Sequence, residues 1–238
     1  MLLAASVAFA AGCSSVASQQ GKSAQRPSPA PSVAASPTPT PFEGATIERP
    51  TSEPYTGDLS IFEDARRAER LQVERVMDVL KIREGSSVAD IGAGSGWFTV
   101  RAARRVGERG TVFAVDINAD FLKHIEARAA AEKLSNVRTI LGKEDDPLLP
   151  EKSVDAVLLL KTYHEVAQPV RLLARLRRSL RDGALVGIID RNGEGDDHGV
   201  ERATVVAEAA QAGFSLVEEH DFVKPDRMDY FLVFRVLK

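Results

Sequence analysis

The sequence is poor in cysteine, since Cys13 is the only one among 238 residues. An intramolecular disulfide is therefore impossible. The chain also lacks a strong charge imbalance: its formal net charge is −3, which gives no reason to expect nucleic acid as the main partner. Hydrophobic residues make up 44% of the chain, enough for a packed core, and 238 residues accommodate one ordinary α/β domain with an appendage.

The N-terminus lacks a long hydrophobic run, but residues 2–12 are apolar or small and end in Ala-Ala-Gly before Cys13. Such a run is too short to span a bilayer, and it resembles a bacterial lipoprotein signal that is cleaved before a lipid-modified cysteine. Residues 1–13 are therefore expected to be a lipoprotein-type signal segment, with a lipid on Cys13 that anchors the protein in a bacterial cell envelope. Residues 2–12 contain no Lys or Arg and position 10 is Ala rather than Leu, so a disordered tail on a cytoplasmic protein is the alternative.

A proline-rich segment follows, because residues 14–57 hold eight prolines interleaved with Ser, Thr and Ala. Such a composition cannot bury enough apolar surface to offset the entropy of the chain. We predict an extended linker over 14–57 and a folded domain over 58–238.

The domain alternates strand-like and helical patterns. Short apolar runs predict seven strands, at 87–91, 111–116, 137–141, 154–160, 184–190, 214–222 and 230–237. Apolar stripes at helical spacing predict helices over 62–80, 96–106, 119–134, 170–180 and 200–211. This alternation is typical of a Rossmann-like, doubly wound α/β fold, with a mostly parallel sheet that ends in an antiparallel hairpin.

A glycine-rich turn after the first predicted strand is the most informative feature. It has the sequence Asp90-Ile91-Gly92-Ala93-Gly94-Ser95-Gly96, and Asp116 ends the second strand. Glycines let the backbone approach a ligand closely, and one carboxylate can accept both hydroxyls of a ribose. The turn and the acid together predict a site for an adenosine-containing cofactor.

The spacing of this turn distinguishes two cofactors. Gly92, Gly94 and Gly96 form G-x-G-x-G rather than the G-x-G-x-x-G of dinucleotide sites. Asp90 precedes them, and a carboxylate there suits an ammonium group better than a pyrophosphate. S-adenosylmethionine (SAM) is therefore favoured over NAD, and the lack of a Tyr-x-x-x-Lys pair at Tyr163 also opposes a Rossmann oxidoreductase.

Residues 58–238 resemble class I SAM-dependent methyltransferases, within that class the small proteins related to quinone-biosynthesis methyltransferases. The matching motifs are VADIGAGSGWFT, GTVFAVDIN, LGKEDDPLLPEKSVDAVLLLKTYHE and LRDGALVGIID. The resemblance implies SAM as the cofactor and transfer of a methyl group to an acceptor that it does not identify.

The resemblance also implies cofactor-binding roles for residues at the strand ends. These are Asp90 at the amino group, Gly92, Gly94 and Gly96 around the methionine and ribose, Asp116 at the ribose hydroxyls, Ile117 on the adenine, Asp145 or else Glu144 at the adenine amino group, and Lys161 beside the cofactor. For the two acids after the third strand, a polar turn before Pro147 is the structural alternative.

The catalytic candidates follow the fourth predicted strand, where Tyr163 and His164 would face the transferred methyl group. Among the histidines, only His164 lies at a strand tip within reach of the site, and an imidazole can accept a proton at neutral pH. An equally weighted alternative is that His164 only shapes the pocket, and Tyr163 is a wall or lid contact. The sequence contains no evident His/Cys ligand set, so no metal is predicted.

The predicted function is methyl transfer from SAM to a small molecule. Because no large insertion separates the strands, the lid must come from residues 55–62, 161–169 and 191–199. A non-catalytic module that binds SAM or S-adenosylhomocysteine is the first alternative, since SAM is made in the cytoplasm and an exported lipoprotein would meet little of it. An NAD-dependent oxidoreductase is the second.

Overall fold

The computed structural model of the protein describes residues 48–51, 55–194 and 197–237, which belong to one compact unit spanning 41–238. The predicted signal segment, Cys13 and most of the predicted linker lie outside the described residues, so the lipid anchor stays a prediction. In the described part of the chain, no helix is long and apolar enough to cross a membrane.

A seven-stranded sheet of order β3-β2-β1-β4-β5-β7-β6 forms the centre of this unit. Its strands are β1 (Ser87–Ile91), β2 (Thr111–Asp116), β3 (Val137–Leu141), β4 (Val154–Leu160), β5 (Leu180–Asp190), β6 (Phe214–His220) and β7 (Tyr230–Val236). The first five strands pair in parallel, and β7 runs antiparallel to both β5 and β6. The predicted doubly wound sheet with a terminal hairpin is confirmed, although β5 begins at Leu180, before the predicted residue 184.

The helices of the described residues are α1 (Arg67–Leu71), α2 (Val73–Val79), α3 (Trp97–Val106), α4 (Ala119–Ala131), α5 (Pro169–Leu176) and α6 (Arg202–Gln211). In place of the predicted helix over 62–80, a short 3-10 helix at Leu59–Phe62 precedes α1 and α2. Gln72 interrupts these two helices with a left-handed φ of 52°, and its amide donates to Phe222 O over 3.0 Å. The apolar stripe continues across this break, so periodicity alone does not detect it.

Both faces of the sheet are buried, as the nearly continuous apolar run of β4 shows. Val157 and Leu159 face a cluster that includes α5 and α6, whereas Ala156 and Leu158 face a cluster built with α1, α2 and α3. This alternation follows from the two-residue period of a strand. The helices therefore hold the strands in a rigid frame, and the loops at the strand ends are positioned by it.

The carboxyl ends of β1 and β4 lie where the strand order reverses. The chain passes from β1 outward to β2 and β3, then returns to the other side of β1 at β4. The two connections leave this point in opposite directions, which opens a crevice there. Gly92, Asp116 and Lys161 lie at the ends of β1, β2 and β4, so the fold brings them to the same edge.

Candidate active site

The turn between β1 and α3 requires glycine at three positions. Gly92, Gly94 and Gly96 have φ values of 71°, 54° and 74°, which side chains with a Cβ rarely adopt. A Cβ at Gly92 would also lie 2.2 Å from Thr162 Cγ2, because the turn packs against the loop after β4. A Cβ at Gly94 would meet only Gly92 O, at 4.0 Å. This part of the turn therefore presents bare backbone to the cavity that it lines.

Asp116 ends β2 and its carboxylate lies against the glycine turn. Oδ2 accepts the Gly94 N–H and Oδ1 accepts the Asn118 N–H, each over 2.9 Å. Each oxygen keeps a further lone pair for a ligand. Burial raises the pKa of the Asp116 carboxyl. Ile117, the next residue, is exposed and lines the same cavity, so an apolar surface lies beside the acid.

Asp90 and Arg67 bring opposite charges to the cavity wall. Asp90 is buried at the end of β1 and accepts the Thr99 hydroxyl over 2.6 Å. Burial raises the pKa of Asp90 to about 6; the nearby Asp116 adds to this rise, while Thr99 and Arg67 oppose it. The Arg67 guanidinium lies 4.5 Å from the Trp97 ring centre. Sequence analysis missed Arg67, since nothing distinguished it from the other basic residues of its helix.

The acids after β3 have different surroundings. Glu144 lines the cavity. The Asp145 carboxylate does not, because it forms ion pairs with Arg175, over 2.7 Å, and with Arg171, over 3.3 Å. Of the two, only Glu144 lines the cavity, so the structure favours it over Asp145 for the cofactor site. A role at the adenine amino group stays a prediction for it.

Tyr163 belongs to the core rather than to the cavity wall. It is fully buried, and its hydroxyl donates to Glu208 Oε2 over 2.8 Å. Burial raises the pKa of this phenol well above its ordinary value. Adjacent residues of a 3-10 helix project in different directions, so Tyr163 points inward where His164 points to the cavity. The predicted substrate contact is accordingly replaced by a structural one.

His164 and Asp190 form a buried pair at the ends of β4 and β5. The imidazole is 1% exposed and the carboxylate is fully buried. Nδ1 of His164 lies 2.9 Å and 3.0 Å from the two Asp190 oxygens, and the backbone N–H of His164 donates to Asp190 Oδ2 over 3.1 Å. With Nδ1 as the donor, Nε2 is left free to accept a proton or a metal ion. His164 follows β4 and Asp190 ends β5, and these two strands are neighbours in the sheet. Their positions at two strand ends could therefore have predicted the pair from the sequence.

Two further side chains approach the free nitrogen of His164. Its Nε2 lies 3.9 Å from Glu165 Oε1, and its ring centre lies 5.8 Å from that of His198, at an interplanar angle of 86°. One ligand-type atom from each residue lies within 4.8 Å of the others. Sequence analysis did not find this grouping, because only the loop after β5 brings His198 to residues far from it in sequence.

These elements enclose a cavity of about 870 Å³. Each predicted lid segment contributes to its wall: Phe62 from 55–62, Lys161 from 161–169 and His198 from 191–199. The first segment is fixed to the glycine turn by Glu63, which accepts the Ser95 hydroxyl over 2.7 Å and pairs with Arg128 over 2.6 Å. The cavity is thus a site that is already formed without a separate substrate domain.

Comparison with known proteins identifies the kind of domain. Residues 88–183, from β1 into β5, match the family described as a methyltransferase domain. This part of the chain carries a methyltransferase domain. A SAM-dependent methyltransferase of Aquifex aeolicus superposes with a TM-score of 0.68 at 23% identity, over 76% of this chain and 100% of that one. At this identity the superposition shows a shared fold.

Two curated relatives illustrate the range of acceptors that such domains serve. Nocamycin O-methyltransferase of Saccharothrix syringae is 32% identical over 48% of this chain and 41% of its own length. A tRNA (adenine(58)-N(1))-methyltransferase of Thermus thermophilus is 29% identical over 58% of this chain and 52% of its own length. The chain spans about half the length of the curated relatives it matches.

The residues of the methyltransferase domain fit SAM. The bare backbone at Gly94 leaves room that a Cβ would fill, and the Asp116 carboxylate beside it can accept two ribose hydroxyls. Asp90 and Arg67 both line the cavity and are the candidates for the ammonium and carboxylate groups of the methionine part, although Arg67 also pairs with Asp226 over 3.5 Å. Ile117 supplies an apolar surface for the adenine. The individual roles of these residues remain predictions.

Proposed function

We propose that this protein transfers the methyl group of SAM to a small-molecule acceptor. The observation that carries the proposal is that a methyltransferase domain places a glycine turn, the acid of β2 and the His164–Asp190 pair around one cavity. In this arrangement Asp116, Gly94 and Asp90 hold the cofactor. His164 then lies on the wall formed by the ends of β4 and β5, where the acceptor would enter.

The main task of the protein in methyl transfer is to align the acceptor with the methyl group of SAM. A lone pair of the acceptor forms the new bond to the methyl carbon, the carbon–sulfur bond breaks, and its electron pair returns to the sulfonium sulfur. A hydroxyl or amine acceptor must also lose a proton, and His164 Nε2 faces the cavity as a proton acceptor. Burial of the cavity walls excludes water, and the rigid strands fix the approach, which accounts for much of the rate that such sites achieve.

The cavity favours a small acceptor over a macromolecule. Its walls include apolar side chains from the N-terminal segment, among them Ile61 and Phe62, and the chain is slightly acidic, with a net charge of −3. A surface that binds tRNA would be expected to carry an excess of Lys and Arg. We therefore assign the acceptor to the class of small, partly apolar molecules.

Isothermal titration of the full chain tests the cofactor assignment. SAM and S-adenosylhomocysteine should bind with micromolar affinity, and NAD should not bind, because the G-x-G-x-G turn and Asp90 leave no site for a pyrophosphate. A folded protein that binds neither adenosyl ligand would contradict the proposed function. Binding followed by no methyl transfer in an acceptor screen would favour the non-catalytic module.

The affinity for SAM should fall below pH 6. The pKa of Asp90 is about 6, so this carboxyl is ionised at pH 7.5 and becomes protonated on acidification. The protonated form cannot form an ion pair with the cofactor's ammonium group. The affinity for SAM should therefore fall as the pH drops below 6, and at pH 5 it should be roughly several-fold lower than at pH 7.5. The measurement is the dissociation constant for SAM between pH 5 and 8.

Asp90→Asn is the matched control for this pH dependence. The variant should bind SAM weakly at pH 7.5 and should lose the dependence near pH 6, because the amide does not titrate. Asp116 and Arg67 are the charged groups that face Asp90 and they remain in place. A dependence that persists in Asp90→Asn would assign it to another group.

A further inference from the structure

We propose that His164, Glu165 and His198 form a binding site for one divalent transition-metal ion at the acceptor side of the cavity. Their ligand atoms lie within 4.8 Å of one another, and all three residues line the cavity. Two imidazoles and one carboxylate are a common ligand set for zinc and for iron(II). Such a site keeps at least one coordination position open, here toward the cavity.

The strongest support is the free nitrogen of His164. This side chain is 99% buried, since only 1% of it is exposed, yet its Nε2 has no hydrogen-bond partner among the described residues. Its nearest acceptor there, Glu165 Oε1, lies 3.9 Å away. The Nε2 lone pair is therefore open to the cavity that His164 lines, and a metal ion between His164, Glu165 and His198 would bind it.

Asp190 prepares His164 for this role. The carboxylate accepts from Nδ1 and also from the backbone N–H of His164, which fixes the ring orientation and the tautomer. Metal-binding histidines usually have such a carboxylate partner behind them. If His164 acted only as a proton acceptor, it would also need Asp190. That role would not require His198 and Glu165 to lie close to Nε2 of His164, whereas a metal site would.

Only a small movement would complete the site. Two ligand atoms bound to one zinc ion at about 2.0–2.1 Å lie no more than about 4.2 Å apart. The ligand atoms of the three residues lie within 4.8 Å of one another, so they need to approach only slightly. His198 is exposed and belongs to the loop after β5, so its ring can approach without disturbing the core. His164 and Glu165 are held by the 3-10 helix Tyr163–Glu165 after β4.

The inferred ion would determine the acceptor class. This part rests on the proposed function, whereas the metal site itself does not. An oxygen or nitrogen of the acceptor that binds the open position would lose its proton to solvent more easily, so no protein base would be needed for it. We therefore expect acceptors with a hydroxyl or another ionisable donor at the methylated position.

Metal titration of the full chain tests the site. The protein is prepared without an affinity tag, in a Cys13→Ser background, and is treated with chelator before titration with zinc(II) and cobalt(II). One equivalent should bind, with visible absorption bands for cobalt(II) typical of a site with nitrogen and oxygen ligands. His198→Ala and Glu165→Gln should each lower the affinity at least tenfold, and Asp190→Asn by roughly 10- to 100-fold.

His124→Ala is the control, because His124 is exposed on α4 and is not part of the cavity wall. It should leave metal binding unchanged. Stoichiometric binding that survives His198→Ala, or no binding at all, would overturn the metal site and leave His164 as a plain imidazole. SAM titration of the metal-free protein separates the two proposals, because none of the proposed cofactor residues is one of the three proposed metal ligands. SAM binding without metal binding refutes only the metal site, and metal binding without SAM binding refutes only the proposed function.

Discussion

Asp116→Ala should lower the affinity for SAM at least a hundredfold. The variant removes the only carboxylate at the end of β2, and hydrogen bonds to a charged group contribute about 1.5–3 kcal/mol each. Two lost ribose contacts therefore amount to about 3 kcal/mol or more, which corresponds to roughly a hundredfold in the dissociation constant. The measurement is isothermal titration with SAM at pH 7.5.

The same substitution also releases the glycine turn, because Asp116 accepts the N–H groups of Gly94 and Asn118. Asp116→Asn separates the two effects, since an amide oxygen still accepts one of these bonds; its affinity loss should be smaller, roughly tenfold. Asp120→Ala is the surface control, as the Asp120 side chain is 83% exposed and pairs with Lys123. Wild-type affinity in a folded Asp116→Ala protein would exclude Asp116 as the ribose ligand.

The strands and the cofactor turn could be predicted because their signals are local. The short run Val88–Ile91 before the glycines, apolar except for Asp90, and Asp116 at the end of the next run define β1 and β2 without knowledge of the rest of the chain. The positive φ values at Gly92, Gly94 and Gly96 are likewise a property of the residue type. These features involve neighbours in sequence, so reading the sequence is sufficient.

The side-chain directions could not be predicted because they depend on contacts between distant elements. Tyr163 and His164 are adjacent, but Tyr163 turns inward to Glu208 on α6 and His164 pairs with Asp190 at the end of β5. Asp145 is removed from the cavity by Arg175 on α5. His198 approaches His164 only because the loops after β4 and β5 leave the same edge of the sheet.

Arg49 gives the largest difference between expectation and structure. It belongs to the segment predicted as a linker, yet its backbone N–H donates to Ala167 O over 3.0 Å. Its guanidinium pairs with Glu208 over 3.0 Å, and these side chains are only 11% and 4% exposed. It also donates to the carbonyls of Tyr163 and Val166. Arg49 is therefore attached to the domain, directly behind the loop that carries His164.

Arg49→Met should destabilise the protein by about 3 kcal/mol, or roughly 6–12 °C in the midpoint of thermal unfolding. The substitution leaves the buried Glu208 carboxylate with only the Tyr163 hydroxyl as a partner, and the loss of one member of a buried ion pair is costly. Burial already raises the pKa of Glu208 while Arg49 opposes the rise. Arg66→Met, at an exposed arginine without an ion pair among the described residues, should change stability by less than about 0.5 kcal/mol.

A double-mutant cycle distinguishes the ion pair from simple loss of packing. If the cost of Arg49→Met comes from the unpaired carboxylate, then Glu208→Met added to it should restore part of the stability, because no buried charge remains. If the cost comes from detachment of residues 48–51, the second substitution should destabilise the protein further. The cycle is measured by urea unfolding. Additive losses would contradict the ion-pair explanation and would indicate that Arg49 acts mainly through its bonds to Tyr163 and Val166.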